Sequence, residues 1–198
     1  VTKRPDSKGR MLGDDQAAAL TKIALSGRVV DVLVGPAGAG KTTAMSALRR
    51  AWEREHGRGS VVGLAPSAVA AQVLADDLGI QTENTAKWLD THDRAGETFR
   101  KGQLVIVDES ERLSRTALEL LRDRYDRDQI ALILIGMPGL EKQFSHYPQF
   151  YSRVGFAHQY RPLGTDELLF VLQRHWRSLG KTLDPEDFTD AQAIASIT

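Results

Sequence analysis

The sequence predicts an α/β fold, a three-layer sandwich on a mostly parallel five-stranded sheet, and three observations lead there. From Val29 to Tyr160 short apolar runs alternate with segments of helical periodicity, as in parallel strands joined by crossover helices. The first run, Val29 to Val34, leads straight into Gly35-Pro36-Ala37-Gly38-Ala39-Gly40-Lys41-Thr42-Thr43, which fits G-x-x-x-x-G-K-[ST]. A later run, Leu104 to Val107, ends in the carboxylates Asp108 and Glu109, as a buried strand does when it delivers charge to the carboxyl edge of a parallel sheet.

The elements follow in order. Val1 to Arg10 holds Lys3, Arg4, Lys8 and Arg10 among Pro and Gly and reads as a flexible basic arm, a candidate contact for DNA. Ala17, Leu20, Ile23 and Ala24 recur at helical spacing between Asp14 and Ser26, with Gly27 as C-cap. After the glycine-rich loop, Thr42 to Glu55 reads as a helix and Ser60 to Ala65 as a second strand. Ala68 to Leu78 is an alanine-rich helix ended by Gly79, Asn84 to Leu89 a short helix, and Asp90 to Gly102 a charged loop. Trp88 is expected to be packed rather than presented for stacking.

Beyond Glu109, Leu113, Ala117, Leu120 and Leu121 mark one apolar helical face. Arg112, Arg115, Arg122, Arg124 and Arg127 lie among acidic residues there and form either a DNA-facing stripe or an ordinary salt-bridged surface. Ile130 to Ile135 is the fourth strand, the turn Gly136-Met137-Pro138-Gly139 opens a helix containing Leu140 and Phe144, and Val154 to Tyr160 is the fifth strand. Helices over Asp166 to Leu179 and from Pro185 complete the chain. The last is still periodic at Thr198, so the sequence is expected to be part of something longer.

Composition narrows the partners. Twenty-six basic and 26 acidic residues cancel, so attraction for nucleic acid must come from a local patch. The absence of cysteine excludes disulfides and thiolate metal sites, and the histidines are too scattered for a metal centre. No apolar run approaches the roughly 20 residues that span a bilayer, so no membrane partner and a cytoplasmic location are expected.

The motifs specify phosphate chemistry. The loop residues Gly35 to Gly40 can turn backbone N–H groups onto a polyphosphate at the positive end of a helix dipole. Lys41 is expected to reach the β- and γ-phosphates of ATP, with Thr43 beside it, and Thr42 to hold Mg²⁺. Asp108 is expected to bind that Mg²⁺ largely through water, and Glu109 to polarise the attacking water. Gln16 is a candidate for pairing with adenine, because its amide donates and accepts at once.

Two family resemblances meet at Glu109. Residues 12 to 109, through Leu12-Gly13-Asp14-Asp15-Gln16, the P-loop, Leu64-Ala65-Pro66-Ser67 and Val105-Ile106-Val107-Asp108-Glu109, resemble the first motor domain of a TrwC/TraI-type (MobF) conjugative relaxase-helicase. From residue 110, Glu111-Arg112-Leu113, Leu134 to Gly139, Tyr147 to Phe156 and Tyr160-Arg161-Pro162-Leu163 resemble AAA+ ATPases that assist transposition, the TniB and insertion-sequence helper group. Gly136-Met137-Pro138-Gly139 stands where a superfamily 1 helicase would have Gly-Asp-x-x-Gln, which weakens the unwinding reading.

The resemblances imply a P-loop ATPase core over residues 11–163, after the arm at 1–10, and a partial helical lid over 164–198. They also imply ATP hydrolysis on DNA, a transposase or other mobile-element protein as partner, and an ATP-dependent homo-oligomer in which Arg153 reaches a neighbour's γ-phosphate. A helicase motor fragment and a nucleotide-binding scaffold with little turnover are the alternatives.

Overall fold

Apolar runs become the strands at the centre of the sheet because both of their faces are covered. The computed structural model describes residues 12–25, 30–36, 40–95, 99–160, 165–178, 180–182, 187 and 192. The strands are β1 (Val30–Val34), β2 (Val61–Ala65), β3 (Gln81–Asn84), β4 (Leu104–Val107), β5 (Ala131–Gly136) and β6 (Val154–Gln159). Their spatial order is β3-β2-β4-β5-β1-β6, and every pairing is parallel.

Parallel neighbours cannot be joined by tight hairpins, so helices carry the chain back each time. α1 (Asp14–Leu25) precedes β1, and α2 (Lys41–His56), α3 (Ala68–Leu78), α4 (Thr85–Ala95) and α5 (Arg115–Asp128) make the next four connections. α6 (Leu140–Ser145) and α7 (Pro148–Tyr151) lie between β5 and β6. Ser67 and Ser114 cap α3 and α5 by accepting hydrogen bonds from the N–H groups of Ala70 and Ala117 at 3.1 and 3.2 Å.

Alternate strand residues feed two separate cores, which makes the three layers. Val30, Val32 and Val34 of β1, Val105 and Val107 of β4, and Leu132 and Leu134 of β5 pack with Leu118 and Leu121 of α5, Phe144 of α6 and Trp88 of α4. On the other face, Leu33, Ile106, Ile133 and Ile135 pack with Met45 and Leu48 of α2, Leu74 and Leu78 of α3, and Leu20 of α1. Trp88 is buried, as its apolar surface requires.

The sheet has six strands rather than the expected five. The additional strand, β3, is the polar run Gln81-Thr82-Glu83-Asn84 at the sheet edge, and only its pairing with β2 makes it a strand. The helix expected to stop near Leu89 continues to Ala95, into the stretch read as a charged loop. The chain divides into two compact units, Val1–Tyr160 and Arg161–Thr198, and the second contains α8 (Thr165–Ser178). The basic arm at residues 1–10 and the helix expected from Pro185 lie outside the described residues, apart from positions 187 and 192. No helix of the described residues is long and apolar enough to cross a membrane.

Gly63 in β2 is required by close approach. A methyl group there would lie 2.5 Å from Thr82 Cγ2 and 2.9 Å from Leu74 Cδ2. Thr82 cannot easily turn aside, because its hydroxyl donates to the Ala71 carbonyl at 2.6 Å. Gly63→Ala is therefore expected to destabilise the protein by about 1–3 kcal/mol through overpacking, read as a lower urea midpoint; an unchanged midpoint would mean that α3 and β3 move apart freely.

Candidate active site

Strand register brings the charged residues to one edge. Val34 of β1 is level with Gly136 of β5, and Leu134 of β5 is level with Val107 of β4, so the chain leaves all three strands on the carboxyl side. The Gly35 N–H donates to the Gly136 carbonyl at 3.2 Å. This amide therefore extends the sheet, and phosphate contacts fall to later loop positions. Pro36 follows, Ala37, Gly38 and Ala39 lie outside the described residues, and Gly40 begins α2 with φ 78°, in the left-handed region that favours glycine.

α2 then presents Lys41, Thr42 and Thr43 in its first turn. The Lys41 ammonium donates to the carbonyls of Gly35 at 2.6 Å and Pro36 at 2.9 Å, folding the loop around its own lysine. Burial lowers the Lys41 pKa below the usual lysine value, and the negative charges of Asp108 and Glu111 oppose that fall. Burial raises the Asp108 pKa above the usual carboxylate value. Hydrogen bonding from the Glu109 N–H, at 2.9 Å, and the charge of Lys41 hold it down, while Glu109 and Glu111 add to the rise. The charges of Lys41 and Asp108 thus act on each other at this edge.

Glu109 has φ 47° and ψ 43°, a left-handed conformation unusual for a residue with a side chain. Its carboxylate accepts from Arg112 Nη1 at 2.8 Å across the short 3-10 turn Ser110–Arg112. The buried Ser110 hydroxyl ties that turn to the strand by donating to the Val107 carbonyl at 2.9 Å. Among the described residues no group of three or more His, Asp or Glu side chains is placed to hold a metal ion. Thr42 and Asp108 nonetheless fit Mg²⁺: both offer hard oxygen donors, and a cation would offset the burial of the Asp108 charge.

Glu111 is the site residue that sequence reasoning missed. Its Oε2 accepts from the Met137 N–H at 3.3 Å, at the end of β5. Gln143 Nε2 donates to the Glu111 carbonyl at 3.0 Å and fixes the turn from the other side. Gly136 makes the approach feasible, since a methyl group there would lie 2.5 Å from Glu111 Oε2. A glycine closing a buried strand four residues before α6 was the available signal.

Two other candidates occupy different places. Gln16, in the first turn of α1, accepts from the Gly13 N–H at 3.0 Å and donates to the Gly40 carbonyl at 3.4 Å, so its amide lies against the last glycine of the loop. Arg153 precedes β6, whose first residue is level with Val30, the first residue of β1. It therefore lies at the amino edge, roughly 16 Å of strand length from Gly35. There its guanidinium donates to Asp126 at 3.1 and 3.4 Å, to the Gln149 carbonyl at 3.0 Å and to Ser152 Oγ at 2.9 Å.

The Asp108 geometry carries a stability prediction. Asn at 108 can still accept from the Glu109 N–H but removes a charge that burial disfavours. Asp108→Asn is expected to raise the thermal midpoint measured without added nucleotide or Mg²⁺. Because the folded-state pKa is raised, the gain is fully present above that pKa and disappears as pH falls towards the ordinary aspartate value of 3.8. A lower midpoint at neutral pH would show that the Asp108 charge stabilises the edge.

Comparison with known proteins agrees with this geometry. Over 122 residues, 61% of this chain, it is 45% identical to a potential ATP-binding protein of Staphylococcus aureus, and the match covers 45% of that protein. The conjugal transfer protein TraA of Rhizobium radiobacter is 35% identical over 64% of the chain, which spans 11% of TraA. Among solved structures, the UvsW helicase of bacteriophage T4 shares the fold with a TM-score of 0.61 at 13% identity, over 80% of this chain and 64% of that one. A family model described as an AAA domain matches residues 11–140, taking in the P-loop, Asp108 and Glu109, and the strand β5 that lies between β1 and β4, and the chain accordingly belongs to the AAA domain family.

Proposed function

We propose that this domain binds ATP with Mg²⁺ at the carboxyl edge of β1, β5 and β4 and hydrolyses it to drive work on DNA in a mobile genetic element. The observation that carries the reading is that strand register brings the loop after β1, folded around Lys41, to the same sheet edge as Asp108 after β4. In this reading Lys41 exchanges its loop carbonyls for oxygens of the β- and γ-phosphates. The α2 amino terminus adds its dipole. Thr42 and Asp108 would hold Mg²⁺, which would supply charge neutralisation for those phosphates.

Glu109 orients a water and takes its proton as the water oxygen bonds to the γ-phosphorus and the bond to the β–γ bridging oxygen breaks, giving ADP and phosphate. Glu111 holds the end of β5 close to this chemistry. The names of the TraA relatives favour conjugal transfer as the setting, in line with the relaxase-helicase resemblance of residues 12–109. A transposition helper is the second reading, favoured by the backbone of Gly136-Met137-Pro138-Gly139 meeting Glu111 where a helicase would offer a polar sensor side chain. A cytoplasmic location goes with either.

Phosphate release from ATP, measured with and without single-stranded DNA, tests the reading. Lys41→Ala is expected to weaken nucleotide binding by about 30-fold or more, since truncating one partner of a charged contact typically costs 2–5 kcal/mol. Glu109→Gln is expected to keep ATP bound and to slow hydrolysis by about 10²–10⁴-fold. Wild-type turnover in Glu109→Gln would assign the water to another residue.

Arg153 acts only between subunits in this reading, because it lies at the opposite sheet edge from its own P-loop. It must first leave Asp126. Arg153→Ala is expected to bind ATP normally and lose about 10³–10⁵-fold in rate, and mixing it with Lys41→Ala is expected to restore activity at shared interfaces. Full activity of Arg153→Ala would leave the arginine as a link between α7 and α5.

A further inference from the structure

Three of the five arginines weighed as a DNA-facing stripe, on α5 and the turn before it, are paired within the fold. Arg122 pairs with Glu119 and Asp126, Arg127 with Asp123, and Arg112 with Glu109. A different set is not. At the amino edge of the sheet, a cleft of about 730 Å³ is lined by Arg49, Arg50, Arg54, Arg58 and Arg100, with Glu53 as the single carboxylate among the described residues. These residues come from the carboxyl half of α2, the turn after it and the segment leading into β4. The first residues of β2 and β3, Val61 and Gln81, lie among them.

The cleft divides into a scaffold and an open set. Arg49 is fixed by Glu53 at 2.8 Å and by the Leu78 carbonyl at 2.9 Å. Arg100 donates to the Gly59 carbonyl at 3.2 Å. Glu53 is fully engaged, since its second oxygen accepts from the Gly59 N–H at 3.1 Å. Among the described residues Arg50, Arg54 and Arg58 make no ion pair, and all three are exposed. The negative end of the α2 dipole favours cations at this end of the helix.

We infer that this cleft binds the sugar-phosphate backbone of nucleic acid, with Arg50, Arg54 and Arg58 as the phosphate contacts. The inference rests on the reading that the domain works on DNA, and adds where the strand lies and what holds it. Guanidinium forks match phosphate oxygens, and several unpaired ones along one concave surface suit a polyanion. Among the described residues no aromatic side chain lines the cleft to stack a base, so the contact is to backbone and indifferent to sequence. The site also lies on the helix that begins at Lys41, and Arg54 is about 20 Å along the axis from it. One rigid element thus spans the nucleotide edge and the nucleic-acid edge.

The test is fluorescence anisotropy of a labelled oligothymidine titrated with full-length chain across a range of salt. Arg50→Ala/Arg54→Ala/Arg58→Ala spares Arg49 and Arg100, which brace the turn, and a fluorescent ATP analogue reports that the variant is folded. The triple variant is expected to lose at least about tenfold in affinity at low salt, and the slope of log affinity against log salt to shrink by about 2, from three phosphate contacts at roughly 0.7 each. A control removing as much charge elsewhere, Arg115→Ala/Arg127→Ala/Lys142→Ala, is expected to leave the slope unchanged. Equal loss in both triples, or displacement of the oligonucleotide by polyglutamate at matched charge, would overturn the assignment in favour of diffuse charge or of an acidic protein. Wild-type protein that hydrolyses ATP while the triple variant binds oligonucleotide normally would overturn the cleft alone. Oligonucleotide binding that depends on these arginines in a protein without ATPase activity would support the cleft and overturn the ATPase reading.

Discussion

A partly dehydrated ammonium holds the carboxyl edge together. Lys41 reaches back to the Gly35 and Pro36 carbonyls, and its charge faces Asp108 and Glu111. Burying a lone cation would cost several kcal/mol, and burying carboxylates without a counter-charge would cost a similar amount. Each offsets only part of the penalty on the other, so burial still lowers the Lys41 pKa and raises that of Asp108. Loop, helix and two strands are thereby joined by electrostatics at the point where their backbones end.

That arrangement depends on the register of an all-parallel sheet. The two apolar cores fix the register from both sides, because a one-residue slip would send Val32 and Leu33 to each other's face. The packing of core side chains such as Leu118 and Met45 is therefore what keeps Gly35, Asp108 and Gly136 at one edge. The cleft at the amino edge depends on the same sheet. It is built where β2 and β3 begin, with α2 as its wall.

Much of this was legible in the sequence, for identifiable reasons. β4 and β5 are continuous apolar runs and β1 is interrupted only by the buried Asp31, because both their faces are covered, so they stand out against polar loops. β3 could not be seen that way. Gln81-Thr82-Glu83-Asn84 has no apolar side chain, and an edge strand of that composition owes its conformation to its neighbour. α4 was cut short because its last turns, Thr91 to Ala95, carry polar residues that periodicity cannot distinguish from a loop. Lys41 and Asp108 were legible because their chemistry demands fixed spacing. Glu111 was hidden because its partner, the Met137 N–H, is 26 residues away and offers only backbone. The arginines of the amino-edge cleft come from α2, its following turn and a distant segment, and nothing in the sequence marks them as neighbours.

Glu109 shows how folding and chemistry ask for different residues. Its left-handed backbone costs a non-glycine residue on the order of 1–2 kcal/mol. The other described non-glycine residue with positive φ, Gln129, ends a helix, where such geometry is common. Glycine at position 109 would relieve the strain, leave the Ser110 tether in place and remove the carboxylate. A variant library ranked by folded yield would therefore enrich glycine there and discard the side chain, so optimising this protein for expression and optimising it for turnover would pull its sequence in opposite directions at that one position.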